Sequence, residues 1–360
     1  MLICLALLAV LLIVIVVASP IGAERLPITA SLCALFTGGS SSCGLTPEQS
    51  AILFDIRLPR ILLAASVGAS LATAGAGYQA LLRNPLAEPY LLGISNGAAV
   101  GTMVALVFFG TGQGSEWMRP IMAFAGALSS TFIVYRLARG RTGTSPEKLI
   151  LAGVIVTTFL SSAIVFITAM MDATRIRSFT FWLLGDLSGA SSSLLAVAIV
   201  ASFVGAIVLT LHARSLNLLM LGERDAFDLG VEVERVRLIV FLAASLLVGA
   251  SVASSGSVGY VGLVVPHLVR LSIGSDNRTA VPAAALAGAL FVIVADTVAR
   301  TVIAPRELPV GALTALIGAP REVLTPELLR EVFEIQVLVD AHPVTGAPRI
   351  TPVHEARRSF

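Results

Sequence analysis

Charge is what this sequence has least of. Charged residues fill 13% of its 360 positions and apolar residues 56%, where a soluble domain carries about 25% and about 45–50%. Such a chain cannot cover its surface with polar groups, which excludes a soluble enzyme and a disordered scaffold. Of 24 basic Lys and Arg side chains one, Lys148, is lysine; net charge is +2 and no basic tract stands out, which excludes a nucleic-acid binder. Cysteine is limited to Cys4, Cys33 and Cys43, too few for a disulfide framework. Cys33 and Cys43 share one loop: they pair if it faces an oxidising compartment, or are two incidental thiols. There is no G-x-x-x-x-G-K-[ST] phosphate loop. The four histidines, His212, His267, His342 and His354, make no metal-ligand spacing. No catalytic centre, metal site or cofactor is expected.

What the chain has is long apolar runs. A bilayer core about 30 Å thick needs roughly 20 apolar residues per crossing. Runs fall at Met1–Ile21, Ile61–Leu82, Tyr90–Phe109, Pro120–Leu137, Leu149–Met170, Ser193–Leu211, Leu238–Ser254, Val258–Ile273 and Val281–Ile303, and a tenth starts at Val310 and stops at Pro320. The fold class is therefore an all-α, polytopic transmembrane helix bundle of about ten spans, the tenth truncated. Met1–Ile21 lacks the basic start of a signal peptide and exceeds its usual apolar length, so it is expected to be a retained first span. With the N-terminus inside, the clearest inner loop is Arg136–Lys148, with four positive charges against Glu147.

The spans are rich in Gly, Ala and Ser, which lets helix backbones approach closely where lipid offers no hydrophobic drive. Val67-Gly68-Ala69-Ser70-x-Ala72-x-x-Gly75 returns as Val248-Gly249-Ala250-Ser251-x-Ala253-x-x-Gly256. In the alternating topology the two copies run in opposite directions, the pattern of an inverted repeat. Asp296 lies inside an apolar run, where a carboxylate marks a functional position by default. Arg300 follows on the same helix face, so a structural ion pair is the other reading.

Two segments carry the most specific information. One is Arg57-Leu58-Pro59-Arg60 followed by Arg83-Asn84-Pro85-Leu86-Ala87-Glu88-Pro89 and Leu92-Gly93-Ile94-Ser95-Asn96-Gly97; the other is Gly259-Tyr260-Val261-Gly262-Leu263-Val264-Val265-Pro266-His267-Leu268-Val269-Arg270. With Phe181-Trp182-Leu183-Leu184-Gly185, Glu307-Leu308-Pro309-Val310-Gly311 and Thr314–Pro320 in the same order, the chain from about Pro47 to Pro320 closely resembles the permease subunits of type II ABC importers for iron–siderophore complexes, haem and cobalamin.

That resemblance implies a multi-pass subunit of the bacterial inner membrane. It would work with a second permease copy, surrounded by lipid, loaded by an extracytoplasmic binding protein and driven by two cytoplasmic ATPase subunits. ATP hydrolysis would belong to those partners. The matching positions are Arg57, Arg60 and Arg300 for docking the binding protein's glutamates, because guanidinium pairs bidentately with carboxylate; anchoring at lipid headgroups is the plainer role. Coupling to the ATPase falls on a short amphipathic helix around Leu221–Val231, through Gly222, Glu223, Ala226, Leu229 and Gly230. The path and gate fall on Asn84, Leu86, Thr144, Ser145, Thr157 and Ser161. Thr157, Thr158, Ser161 and Ser162 make a polar patch on the fifth span. They either line the path or bond their own i−4 carbonyls.

The end of the chain departs from that pattern. Val310–Ala319 gives about 15 Å of helix, half a bilayer, and then Arg321 and Glu322 follow. Residues 321–360 resemble the extreme C-terminus of the partner ATPase, a pre-helix turn and then a short strand pair. The domains are thus expected as 1–320, the permease, and 321–360, a soluble tail joined in frame. The competing function is a transport-impaired or regulatory membrane protein derived from such a permease.

Overall fold

The computed structural model describes residues 2–22, 24, 26–37, 43–110, 117–140, 143–189, 192–302, 307–317, 337–341 and 348–352. The first apolar run forms α1 (Leu2–Ala18). The next forty residues, which read as an outer loop, hold helices of their own: α2 (Ile28–Thr37) and α3 (Pro47–Ala51). A capping box starts α3, with the Thr46 hydroxyl accepting from Gln49 N–H, the Gln49 side chain accepting from Thr46 N–H, and Pro47 in the first turn. A π-helical turn (Ile52–Arg57) then carries the chain without a break into α4 (Leu58–Leu81). A disulfide joins Cys33 to Cys43, so the pairing alternative holds and ties α2 to the approach of α3.

The remaining runs form α5 (Ile94–Phe109), α6 (Met118–Ala138), α7 (Pro146–Met170), α8 (Ala173–Leu183) and α9 (Ser192–Leu211). Then come α10 (Ala213–Leu221), α11 (Glu223–Asp228), α12 (Val233–Ser255), α13 (Val261–Ile273), α14 (Asn277–Thr301) and α15 (Val310–Ile317). Polar caps set ends that an apolar run does not show. Ser145 accepts from Lys148 N–H ahead of Pro146, and Asp276 accepts from Arg278 N–H, so α7 and α14 begin several residues before their apolar stretches.

Among the described residues six helices are long and apolar enough to cross a membrane: 47–81, 118–138, 146–170, 194–211, 233–255 and 277–301. Leu2–Ala18, Ile28–Thr37, Ile94–Phe109 and Val261–Ile273 are apolar but shorter. The eighth run becomes a helix that starts later than its apolar stretch. Tyr260 takes a left-handed φ of 66° immediately before α13, which delays its start.

At the centre stands α4, almost wholly buried and ringed by α9, α12, α13 and α14. Glycines set the approach. A methyl at Gly68 would sit 2.1 Å from the carbonyl oxygen of Gly288 on α14, and one at Gly75 only 1.9 Å from that of Gly262 on α13. The same device joins α5 to α6, where Gly97 and Gly126 face each other's backbone. Close backbone contact replaces the hydrophobic drive that lipid cannot supply.

Two units divide at Thr314 and Ala315. In the second, β1 (Val337–Ala341) pairs antiparallel with β2 (Pro348–Pro352), Val339 opposite Ile350. The charged junction at Arg321 and Glu322 lies outside the described residues.

Candidate functional site

Three clusters hold the residues singled out in the sequence. The first joins the ends of α1, α4 and α14. Asp296 is completely buried and sits between two guanidiniums. Arg60 donates from Nε at 3.0 Å and Nη2 at 2.9 Å to Oδ1, and Arg300 pairs through Nε with Oδ2 at 3.0 Å. Arg60 Nη1 also reaches Glu307 Oε2 at 2.6 Å. Arg300 continues to the Ile21 carbonyl at 3.4 Å. Arg57 donates to the carbonyls of Ser19 (3.4 Å), Pro20 (2.8 Å) and Glu24. The sequence suggested surface cations at Arg57, Arg60 and Arg300; the structure buries all three, 3–7% exposed. They close the loop after α1 onto α4 and α14. Asp296 takes the ion-pair reading.

The second cluster lies at the opposite end of α4 and α12. Gly222 (φ 142°) breaks the chain between α10 and α11, and Gly230 (φ 83°) ends the turn after α11; both conformations favour glycine. The sequence predicted one amphipathic helix here, with Ala226 and Leu229 on its apolar face. The structure splits it at Gly222. Ala226 is fully buried against its own chain, while Leu221, Phe227 and Leu229 are 61–70% exposed. Glu223, at the start of α11, pairs with Arg237 of α12 (2.6 Å) and more loosely with Arg83 (3.5 Å).

Arg237 reaches onward to the segment before α7. It donates to the Thr144 carbonyl and, at 3.0 Å, to Glu234 Oε1. Glu234 grips Thr144 with both oxygens, Oε1 taking the backbone N–H and Oε2 the hydroxyl, each at 2.9 Å. Gly143 has φ 94° and no room for a Cβ, which would lie 2.4 Å from Glu234 Oε1. Beside it, Ser145 caps α7, its hydroxyl accepting from Lys148 N–H. Asn84 shapes the neighbouring turn, its Oδ1 accepting from Leu86 N–H at 2.9 Å and its carbonyl from Ala87 N–H at 3.0 Å. Glu223, Thr144 and Ser145 are thus brought together. Arg83 connects the turn carrying Asn84 and Leu86 to the same carboxylate.

The third cluster is on α7, whose apolar side chains Leu151, Ile155, Phe159 and Phe166 are 55–72% exposed. Its hydroxyls divide. Thr158 and Ser162 bond the carbonyls four residues back, Val154 and Thr158. Thr157 instead donates to Leu91 O (3.4 Å), and Asn96 of α5 donates to Thr157 O (3.2 Å) and Ser161 Oγ (2.8 Å). Thr157 and Ser161 therefore stitch α7 to the start of α5.

The sequence reading missed Arg237 and Glu234 as site residues. A Glu234/Arg237 pair at i, i+3 was visible, but their partners stand some ninety residues away in Thr144 and across a loop in Glu223.

The profile of the FecCD transport family matches residues 8–321. This chain belongs to the FecCD transport family. The hemin transport system permease protein HmuU of Yersinia pestis is 44% identical over 271 residues, 75% of this chain and 81% of that one. The vitamin B12 import system permease protein BtuC of Escherichia coli (strain SE11) is 40% identical over 297 residues, 82% and 89% of the two chains. A solved structure, described as an inward-facing conformation of a metal-chelate type ABC transporter, matches with TM-score 0.78 and 31% identity over 89% of this chain and 97% of its own. As a FecCD permease the chain is a multi-pass membrane protein and a transport subunit.

Proposed function

We propose that this FecCD protein is the permease subunit of an ABC importer for a metal chelate of the siderophore, haem or cobalamin class. Two permease copies would flank the path, with separate ATPase subunits on the cytoplasmic side and a binding protein outside. The relatives' hemin and B12 import, at 40% identity or more over most of both chains, favours this over a non-transporting derivative. The disulfide at Cys33–Cys43 fits an oxidising outer side for α2. That puts α11 and the Arg136–Lys148 segment inside.

The observation that carries the reading is α11. Leu221 at the end of α10, Phe227 on α11 and Leu229 just after it stand out around a helix anchored by paired, half-buried and buried charges, an arrangement suited to transmitting a push from a docked ATPase. Ala226 and Gly230 contribute the tight turn beneath this ridge rather than the ridge itself. Replacing Phe227 and Leu229 together by Asp puts two charges into a contact that depends on apolar burial. The ATPase subunit is expected to stop co-purifying while the permease still inserts and runs as a sharp peak in gel filtration. Co-purification at the wild-type ratio would sink the reading.

At the outer end, docking by Arg57, Arg60 and Arg300 needs an exchange, because each is already paired. Of Arg60's two carboxylate partners, Glu307 is 43% exposed and Asp296 is buried. A glutamate of the binding protein would take the place of Glu307 on Arg60. Binding-protein affinity in liposomes should then weaken with salt and rise in Glu307→Gln, which removes the competing carboxylate; unchanged or lower affinity in that variant would oppose the exchange.

Residues 321–360 are read as the C-terminal end of an ATPase subunit, joined in frame. The family match stops at residue 321, the units divide at 314/315, and an antiparallel strand pair follows. Replacing them by an apolar continuation of α15 is expected to raise chelate uptake in liposomes. No gain would remove the case for an impairing tail.

A further inference from the structure

Arg237 is an unusual place to find a guanidinium. Among the described residues it is one of the largest fully buried side chains, 2% exposed, near the start of α12. Burying a cation is costly unless it is paired and hydrogen-bonded, and each of its two terminal nitrogens is committed to a different element. Nη2 holds Glu223 of α11 at 2.6 Å. Nη1 holds the Thr144 carbonyl and Glu234 Oε1, with the Thr144 hydroxyl at 3.4 Å. One rigid, planar group thereby spans the distance between the exposed helix α11 and the segment that opens into α7.

The two sides of the span are built differently. On the Thr144 side the segment is clamped to α12 three times over, by both Glu234 oxygens and by Arg237. Gly143 lets that clamp close. On the α11 side the charged link among the described residues is Glu223, shared with Arg83 from the turn that carries Asn84 and Leu86. A displacement of α11 is therefore passed to Thr144 through an ion pair whose guanidinium is buried, 2% exposed, and whose carboxylate is 38% exposed.

We propose that Arg237 is the positioning residue that transmits displacement of α11 to the Thr144–Ser145 segment at the mouth of α7. This rests on the reading of α11 as the ATPase contact. A guanidinium is suited to the task because its two forks are held in one plane. A lysine ammonium is a single point that cannot hold both ends in this geometry.

The test follows Ser145 during nucleotide turnover. A Ser145→Cys, Cys4→Ser protein, with the Cys33–Cys43 disulfide left in place, is co-purified with its ATPase partner. It is labelled with an impermeant maleimide nucleotide-free and after trapping with ATP and vanadate. Coupled sites typically shift one another by about 5–150-fold, so a labelling-rate ratio of about tenfold between the two states is expected. Arg237→Gln should bring the ratio to about one, and Arg237→Lys should leave it well below the wild-type value. Glu223→Gln cuts the same link from the other side and should also collapse the ratio; it decides the matter where Arg237→Gln does not fold. A purely structural role would lower yield or change the nucleotide-free rate, but it would not erase the ratio in well-folded complexes. A full wild-type ratio in Arg237→Gln or Glu223→Gln would overturn the proposal. Absence of any ratio in the parent complex, or failure of an ATPase to co-purify with it, would instead overturn the ATPase-coupled reading beneath it.

Discussion

Gly75→Ala is expected to prevent assembly of the bundle. The added methyl would sit 1.9 Å from the carbonyl oxygen of Gly262 and 2.6 Å from its carbon. Both are backbone atoms, so no rotamer change relieves the clash, and α13 must move away from α4. Overpacking a well-packed core costs about 1–3 kcal/mol and occasionally more; a backbone neighbour on the most buried helix puts this case at the upper end. Gly68→Ala should behave alike, with the Gly288 carbonyl at 2.1 Å. The two copies of the small-residue pattern are not equivalent. Gly249, the counterpart of Gly68, would bring its methyl to 3.3 Å from Ala127 Cβ and 3.5 Å from the Phe124 ring. The Phe124 ring can turn and the Ala127 contact needs a shift of only a few tenths of an ångström, so Gly249→Ala should be tolerated. The measurement is yield of monodisperse protein in mild detergent, with thermal unfolding of whatever is recovered. Equal yields and melting temperatures for Gly75→Ala and Gly249→Ala would mean that the α4–α13 contact is looser than described.

The contrast between those glycines shows where sequence stops informing. That α4 and α12 share a small-residue pattern is visible in the letters. Which glycines meet backbone and which meet side chains depends on neighbours that arrive from distant segments: within the second copy Gly249 faces side chains, while Gly256 faces the Trp182 carbonyl. The apolar runs are legible because lipid demands about twenty apolar residues in a row. Their ends are less so, since Ser145 and Asp276 cap helices from outside the apolar stretch. α2 and α3 were hidden because a membrane-length window averages over short elements, although Thr46-Pro47-Glu48-Gln49 carries an explicit start signal. Arg57, Arg60 and Arg300 looked like surface cations because an arginine at a helix end usually is one. Their burial follows from the carbonyls of Ser19, Pro20, Ile21 and Glu24 and from Asp296, and only the Asp296–Arg300 spacing could be read from one helix. On α7, four hydroxyls of one type divide into two that bond their own helix and two that bond across to α5 and its approach. Nothing in their spacing separates them.

Asp296→Asn is expected to be among the most destabilising neutral substitutions the protein can receive. The carboxylate is 0% exposed and is shared by Arg60 and Arg300, themselves 7% and 3% exposed. Removing its charge leaves two like charges near one another in a site water does not reach. Breaking a buried pair from one side typically costs about 3–5 kcal/mol. Two features temper this. Arg60 keeps Glu307 at 2.6 Å, and Arg300 keeps the Ile21 carbonyl and the Thr297 hydroxyl. The asparagine oxygen can still accept a neutral hydrogen bond from Arg60. Arg300, whose ion pair among the described residues is with Asp296, is therefore the side chain left worst placed. Because Arg300 and Arg57 together hold the carbonyls that follow α1, the loss should first loosen residues 19–24 and then the α1–α14 contact. A thermal melt in detergent should show a large fall, and limited proteolysis should cut early in that loop. Adding Arg300→Gln to Asp296→Asn removes the stranded cation, so the double variant should recover part of the loss. Neighbouring charges that share a partner are non-additive by about 0.5–3 kcal/mol. If the double variant falls by the full sum of the two single losses, Asp296 and Arg300 act independently and the buried network is not what closes this end of the bundle.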